Sequence, residues 1–149
     1  MKVYVAAPYP AREYVEKVAA MLEEAGHKCT STWAYGTREI KEDTVGPSPA
    51  TEHDDLVRHV TGDLYDIARA GALISLTANF LWEQDAFAEG TEDRWLHTGG
   101  RHVELGYALS RRQHDYLFKI ITVGKPENVF QRGLSTVVPN LPRAIQALG

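Results

Sequence analysis

Two rhythms of apolar residues alternate along the chain. Residues 3–7 form a short continuous apolar run ended by Pro8, the pattern of a buried strand. Over 11–25 the rhythm changes: Tyr14, Val15, Val18, Met21 and Leu22 recur at helical spacing, and Gly26 stops the run. Residues 27–33 are richer in Thr and less apolar, which predicts an edge strand. Residues 35–50 are polar and carry Gly36, Gly46, Pro47 and Pro49, a long loop. Residues 51–70 return to helical spacing through Leu56, Val57, Val60, Leu64, Ile67 and Ala68, and 72–76 read as a buried strand. The stretch 77–100 contains several Trp and Phe without a clear period. A segment of that length between elements is usually a functional loop, such as a lid. A helix over 100–112, a strand over 118–123, a loop over 124–133, a short strand over 136–138 and a closing helix over 141–148 complete the pattern.

The order β-α-β-α-β-α-β-loop-β-α predicts a parallel sheet with helices on both faces. At 149 residues the chain is one domain, 1–149, large enough to bury a core. In sheets of this kind ligands bind beyond the carboxyl ends of the strands. Pro8-Tyr9, Thr77-Ala78-Asn79, Gly99-Gly100 and Gly124-Lys125 should therefore meet at one edge.

Composition narrows the function classes. A net charge of −4 argues against a nucleic-acid polymer as partner, but not against a nucleotide held in a local cradle. Cys29 is the only cysteine, so an internal disulfide is impossible. No apolar run approaches membrane-spanning length and the opening residues do not have the pattern of a secretory leader, so no membrane partner and a cytoplasmic location are expected.

The segment Gly99-Gly100-Arg101-His102-Val103-Glu104-Leu105-Gly106-Tyr107-Ala108 carries the best lead to chemistry. Two glycines allow a sharp turn and close approach to a ligand. The helix they open presents unpaired N–H groups and a positive dipole end, which favour a phosphate or a hydroxyl-rich sugar. Glu104 is expected inside the first turn. It is either a dipole-complementing acid or a nucleophile able to form an ester with an anomeric carbon. The small Gly106 and Ala108 are expected to allow close helix–sheet packing. Arg101 and His102 either contact a phosphate or leaving base or are solvated. Tyr4 either points its hydroxyl at the site or belongs to the core, and Tyr9 could stack on a base. Of the acids on the 51–70 helix, Asp63 reads as a solvated residue, while Asp66 could equally reach the strand edge. His53, His59, Asp54 and Asp55 lack a second cluster with metal-ligand spacing, so no metal and no other cofactor is expected.

Lys2-Val3-Tyr4-Val5-Ala6-Ala7-Pro8, Gly100 through Leu109, and Val123-Gly124 with Glu127-Asn128-Val129-Phe130, taken together, resemble the nucleoside 2-deoxyribosyltransferase-like family over nearly the whole chain. The resemblance implies a flavodoxin-like (Rossmann-like) three-layer α/β sandwich with a five-stranded parallel sheet. It implies cleavage of the N-glycosidic bond of a 2′-deoxynucleoside, with transfer of the deoxyribosyl group to another base. Hydrolysis of a nucleoside 5′-monophosphate, the activity of a second branch, is the alternative, and a non-catalytic nucleotide sensor is a third. It makes Glu104 the nucleophile on C1′ and Tyr4 the residue that orients it. It also places Asn128 at the sugar 5′ end of a neighbouring subunit's site within a homo-oligomer; Tyr9, Asp66, Gly99, Gly100, Arg101 and His102, candidates from the residues themselves, complete the expected substrate-binding set. The chain departs from the family where an acid at the start of the third strand is expected to manage the leaving base's protons. Gly71 stands there, and Thr98 and Asp93 stand near a second missing acid. Either Asp66 or Asp85 substitutes, or base specificity is unusual, or efficient turnover is lost.

Overall fold

Alternating inward and outward positions decide which side of the sheet each strand residue faces. In the computed structural model, which describes residues 1–35, 53–91 and 100–149 (side chains of the second stretch from 57 onward), five strands form one sheet in the order β2-β1-β3-β4-β5. They are β1 (Lys2–Ala6), β2 (Lys28–Cys29), β3 (Ala72–Leu76), β4 (Lys119–Val123) and β5 (Thr136–Val138), and every pairing is parallel. In the central pair Val3 lies opposite Ala72 and Tyr4 opposite Leu73.

Odd-numbered positions of β1 point Val3 and Val5 to one face. There they join Ile74, Leu76, Ile121 and Val123 under α1 (Arg12–Glu24), α3 (Ala78–Glu83) and α6 (Leu141–Leu148). Even-numbered positions point Tyr4 and Ala6 to the other face. There they join Leu73, Phe118 and Ile120 under Ile67 of α2 (His53–Ala68) and Leu105 and Ala108 of α4 (Gly100–His114). The result is the three-layer α/β sandwich with a five-stranded parallel sheet that the element order predicts, in the flavodoxin-type strand order. Helices change faces between β1 and β3, so the crevice beyond the carboxyl ends of these two strands is where a ligand site is expected.

Several predicted elements differ in detail. The second strand is confined to Lys28–Cys29. Beyond it the Ser31 hydroxyl takes over the bonds of Val5, accepting from its N–H at 2.6 Å and donating to its carbonyl at 3.0 Å, so a side chain replaces the ladder. The stretch 77–100 is not wholly a loop: α3 lies in it, with the Thr77 hydroxyl accepting from the Phe80 N–H as cap. The 124–133 loop contains a further helix, α5 (Val129–Leu134), capped by Asn128. Both helices have six residues, too few to display a period. In α5 the pattern is also inverted, since Gln131 is buried while Val129 and Phe130 are exposed. The predicted loop over 35–50 lies almost wholly outside the described residues.

Gly124 ends β4 with φ at +96°, a conformation L side chains rarely adopt. A Cβ there would also collide with Thr77 and Phe80. Glycine at this position lets the chain turn from the β4 end toward the loop that carries Glu127 and Asn128.

Candidate active site

Helical spacing brings four residues of α4 onto its inner stripe: Arg101, Glu104, Leu105 and Ala108 recur at i, i+3, i+4 and i+7. Leu105 and Ala108 pack on the sheet, and the same stripe carries the two charged side chains inward. Glu104 is the fifth residue of α4, in the second turn rather than the first, so it is not the dipole acid of a helix start. Gly106 points outward with no neighbour near the place of a Cβ, so Ala108, not Gly106, makes the close packing on the sheet.

The Tyr4 ring is fully buried in the sheet's α2/α4 face. Its hydroxyl donates to Glu104 Oε1 at 2.7 Å. The residue is thus both core and site. Glu104 is half-buried as a whole, but Oε2 has no solvent exposure and no hydrogen-bond partner among the described residues. A carboxylate so placed is expensive to ionise. Burial pushes its pKa up to about 8; the Tyr4 hydrogen bond and the Arg101 charge oppose that rise, and the Asp63 charge adds to it. Burial first, then the Glu104 charge, holds the Tyr4 hydroxyl well above its ordinary value, so it stays a neutral donor.

α2 repeats this arrangement. Asp63, Asp66, Ile67 and Ala70 share the i, i+3, i+4, i+7 spacing, and the last three are buried. Asp66 accepts from the Thr32 N–H and hydroxyl through Oδ2, at 2.9 and 2.6 Å, and from Arg69 through Oδ1 at 2.8 Å. Oδ2 therefore ties α2 to the turn after β2, while Oδ1 is held by Arg69 just beyond the helix. Asp63 is not on a solvated face: it is half-buried, its pKa is pushed up to about 6 by burial and by the Asp66 charge, and its field reaches Tyr4 and Glu104. Sequence reasoning missed it. The available signal was an acid at i−4 from Ile67, on the stripe that should have been apolar.

A second cluster lies at the start of α4. Arg101 is buried, and its guanidinium donates to Glu127 Oε2 at 2.9 Å. Glu127 Oε1 accepts the Ala78 N–H at 2.6 Å. His102 places Nε2 4.0 Å from the same carboxylate and Nδ1 3.3 Å from the Asn128 amide. Burial and the neighbouring Arg101 hold the His102 pKa below its ordinary value. Asn128 Oδ1 accepts the Gln131 N–H at 2.9 Å, while the buried Gln131 side chain accepts from the Glu127 N–H and donates to Ser75. Gln131 thereby anchors the 124–128 loop to the end of β3. Neither Arg101 nor His102 is a fully solvated residue.

Tyr9 stands half-buried just past the end of β1, beside Trp33 with ring centroids 6.4 Å apart and with the Arg12 guanidinium over its ring. Gly100 opens α4. Gly99, Thr98, Asp93 and Trp95 lie outside the described residues, as do the side chains of His53, Asp54 and Asp55. Gly71 stands at the opposite edge of the sheet, bonded to Lys2 and Lys119 at the amino ends of β1 and β4. A strand of this length separates the two edges by roughly 13–17 Å. Asp85 is exposed, in a left-handed turn with φ at 51°. Among the described residues no group of three or more His, Cys, Asp or Glu could hold a metal ion, and no helix is long and apolar enough to cross a membrane.

No protein-family model and no curated protein sequence matches the chain. Its fold matches solved structures. One is the CMP N-glycosidase BcmB of Clostridium botulinum, at a TM-score of 0.52 and 16% identity over 99% of this chain and 98% of that one. Another is a 2-deoxyribosyltransferase from the psychrotolerant bacterium Bacillus psychrosaccharolyticus, at a TM-score of 0.57 and 16% identity over 97% and 90%. At that identity the likeness is one of fold. Both proteins are named for reactions at the bond between a sugar and a base.

Proposed function

We propose that the protein cleaves the N-glycosidic bond of a 2′-deoxynucleoside and transfers the deoxyribosyl group to another base through an ester on Glu104. The observation that carries the reading is the Tyr4–Glu104 pair: one carboxylate oxygen held by a buried hydroxyl and the other buried with no hydrogen-bond partner among the described residues. In the first step Glu104 Oε2 attacks C1′. The C1′–N bond breaks with its electron pair going to the base, and the base takes a proton from Asp63. In the second step the acceptor base attacks C1′, the ester C–O bond breaks, Glu104 regains its electron pair and the acceptor's proton goes to Asp63. Tyr4 fixes the carboxylate throughout, and the positive charge that develops on the sugar favours the ionised form of Glu104. Tyr9 and Trp33 offer the base an aromatic wall on the α2 side.

The second reading is hydrolysis of a nucleoside 5′-monophosphate, in which water replaces the acceptor base. The guanidinium of Arg101 beside Glu104, together with the fold shared with the CMP N-glycosidase, favours keeping it in view. For either reaction we assign the working form to a homo-oligomer in which Asn128 completes a neighbour's site. Exposed Val129 and Phe130 beside Asn128 supply an apolar rim for a second copy. Mass spectrometry of the protein incubated with a 2′-deoxynucleoside and a different free base decides the matter. Base exchange is the expected result. Free base and sugar phosphate from a monophosphate would establish the alternative, and intact ligand alone would leave a non-catalytic sensor.

A further inference from the structure

Glu127 stands where an anionic ligand would be welcomed. Its carboxylate receives the Ala78 N–H through one oxygen and the buried Arg101 guanidinium through the other, at 2.6 and 2.9 Å. His102 lies 4.0 Å from it as well. It is held there from its own backbone, because the Glu127 N–H is fixed by the buried side chain of Gln131. Two donors that could recognise a phosphate, the Ala78 N–H and one Arg101 N–H, are thus already bonded to a carboxylate belonging to the chain.

If the reading above is right, the furanose lies across Glu104 with its base toward Asp63 on α2. Its 5′ end then points the other way, toward the start of α4 and the 124–128 loop. We propose that Glu127 makes this end of the site select a neutral 5′-hydroxyl and reject a 5′-phosphate. The inference rests on the proposed reaction and adds to it which substrate class is taken. Two effects act together. A phosphate would have to displace Glu127 from Arg101 and Ala78, and a displaced carboxylate would repel it at short range. A hydroxyl, by contrast, can donate to Glu127 without breaking the Arg101 pair.

The test uses equilibrium binding of a 2′-deoxynucleoside and of its 5′-monophosphate to protein carrying Glu104→Gln, so that neither ligand turns over. The same pair is measured with Glu127→Gln and with Glu127→Ala added, and base release is assayed separately on protein with Glu104 intact. Glu104→Gln alone should bind the nucleoside tighter than the monophosphate. Removing the Glu127 charge should raise the monophosphate's relative affinity by about tenfold to a hundredfold, the range of one charge-assisted contact. Two substitutions are used because Ala also removes the bond to Ala78, whereas Gln keeps an acceptor there. Thermal melting checks that both fold. A ratio unchanged in both folded variants, or a monophosphate preference before Glu127 is altered, overturns the inference. So does a failure of every protein to bind either ligand. Binding in the expected ratio without base release would overturn the proposed reaction and leave the selectivity of the pocket established.

Discussion

Tyr4 and Glu104 stand 100 positions apart in the chain and meet through one hydrogen bond of 2.7 Å. One lies in the middle of a central strand and the other in the second turn of a helix on the same face of the sheet. Removing the donor while keeping the ring isolates that bond. Tyr4→Phe should lower base release by about tenfold to a hundredfold, because a hydrogen bond to a charged group contributes roughly 1.5–3 kcal/mol. Since the bond holds the Glu104 pKa down, its loss should also move the alkaline limb of the pH–rate profile upward. A rate within twofold of the unmodified protein, with the limb unmoved, would deny Tyr4 a role beyond packing.

Glu104→Gln should abolish base release while the protein still folds. The stability effect has a definite sign. The Glu104 pKa is raised in the folded state from 4.5 to about 8, so ionisation opposes folding and stability is lost as pH rises through that window. The neutral amide escapes this cost. The variant should match the unmodified protein near pH 4.5 and exceed it near pH 8, by roughly 1–3 kcal/mol once relaxation of the buried site is allowed for. Urea denaturation at the two pH values checks it, and an equal difference at both would contradict the burial argument.

The Asp63–Glu104 pair titrates with apparent pKa values of about 6 and about 8. The proposed step needs one proton on the pair, with Glu104 ionised and Asp63 protonated, so kcat/KM should follow a bell with limbs near those values. Asp63→Asn should remove the descending alkaline limb, leaving a rate that rises with pH to a plateau as Glu104 ionises. The remaining limb should lie below pH 8 because a like charge is gone. Activity unaltered in Asp63→Asn would assign the leaving base's proton elsewhere.

Gly124→Ala tests the turn that carries Glu127 and Asn128. A positive φ and a collision with Thr77 and Phe80 act together, so a loss of about 2–5 kcal/mol is expected in chemical denaturation. Gly106→Ala meets open space on the outer face of α4 and should be neutral or slightly stabilising.

Shared sites can be read from complementation. Asn128→Ser keeps an oxygen to cap α5 but withdraws the amide. Mixing it with Glu104→Gln, each poorly active alone, should restore part of the activity once subunits exchange. Full activity from a species shown to be monomeric by light scattering would rule out a shared site.

The sequence by itself determined the architecture, because the alternation of short apolar runs with helical stripes leaves few ways to cover both faces of a parallel sheet. It also singled out Glu104, because a glycine turn before an acid-bearing helix is a local pattern, while the residues alone leave Tyr4 between site and core and Arg101 between ligand contact and solvation. The short helices α3 and α5 were not legible, because six residues are too few to show a period and their caps act through single side chains. The roles of the helical acids were decided only by tertiary structure. Asp63 and Asp66 lie three residues apart on one stripe, and nothing in their spacing says which is tied up. Folding gives Asp66 the partners Thr32 and Arg69, while Asp63 is half-buried within reach of Glu104's field. Gly71 is the converse case. Its place in sequence suggests a missing acid, whereas folding brings the charge of a different acid, Asp63, to Glu104 and leaves Gly71 bonded to Lys2 and Lys119 at the amino ends of β1 and β4.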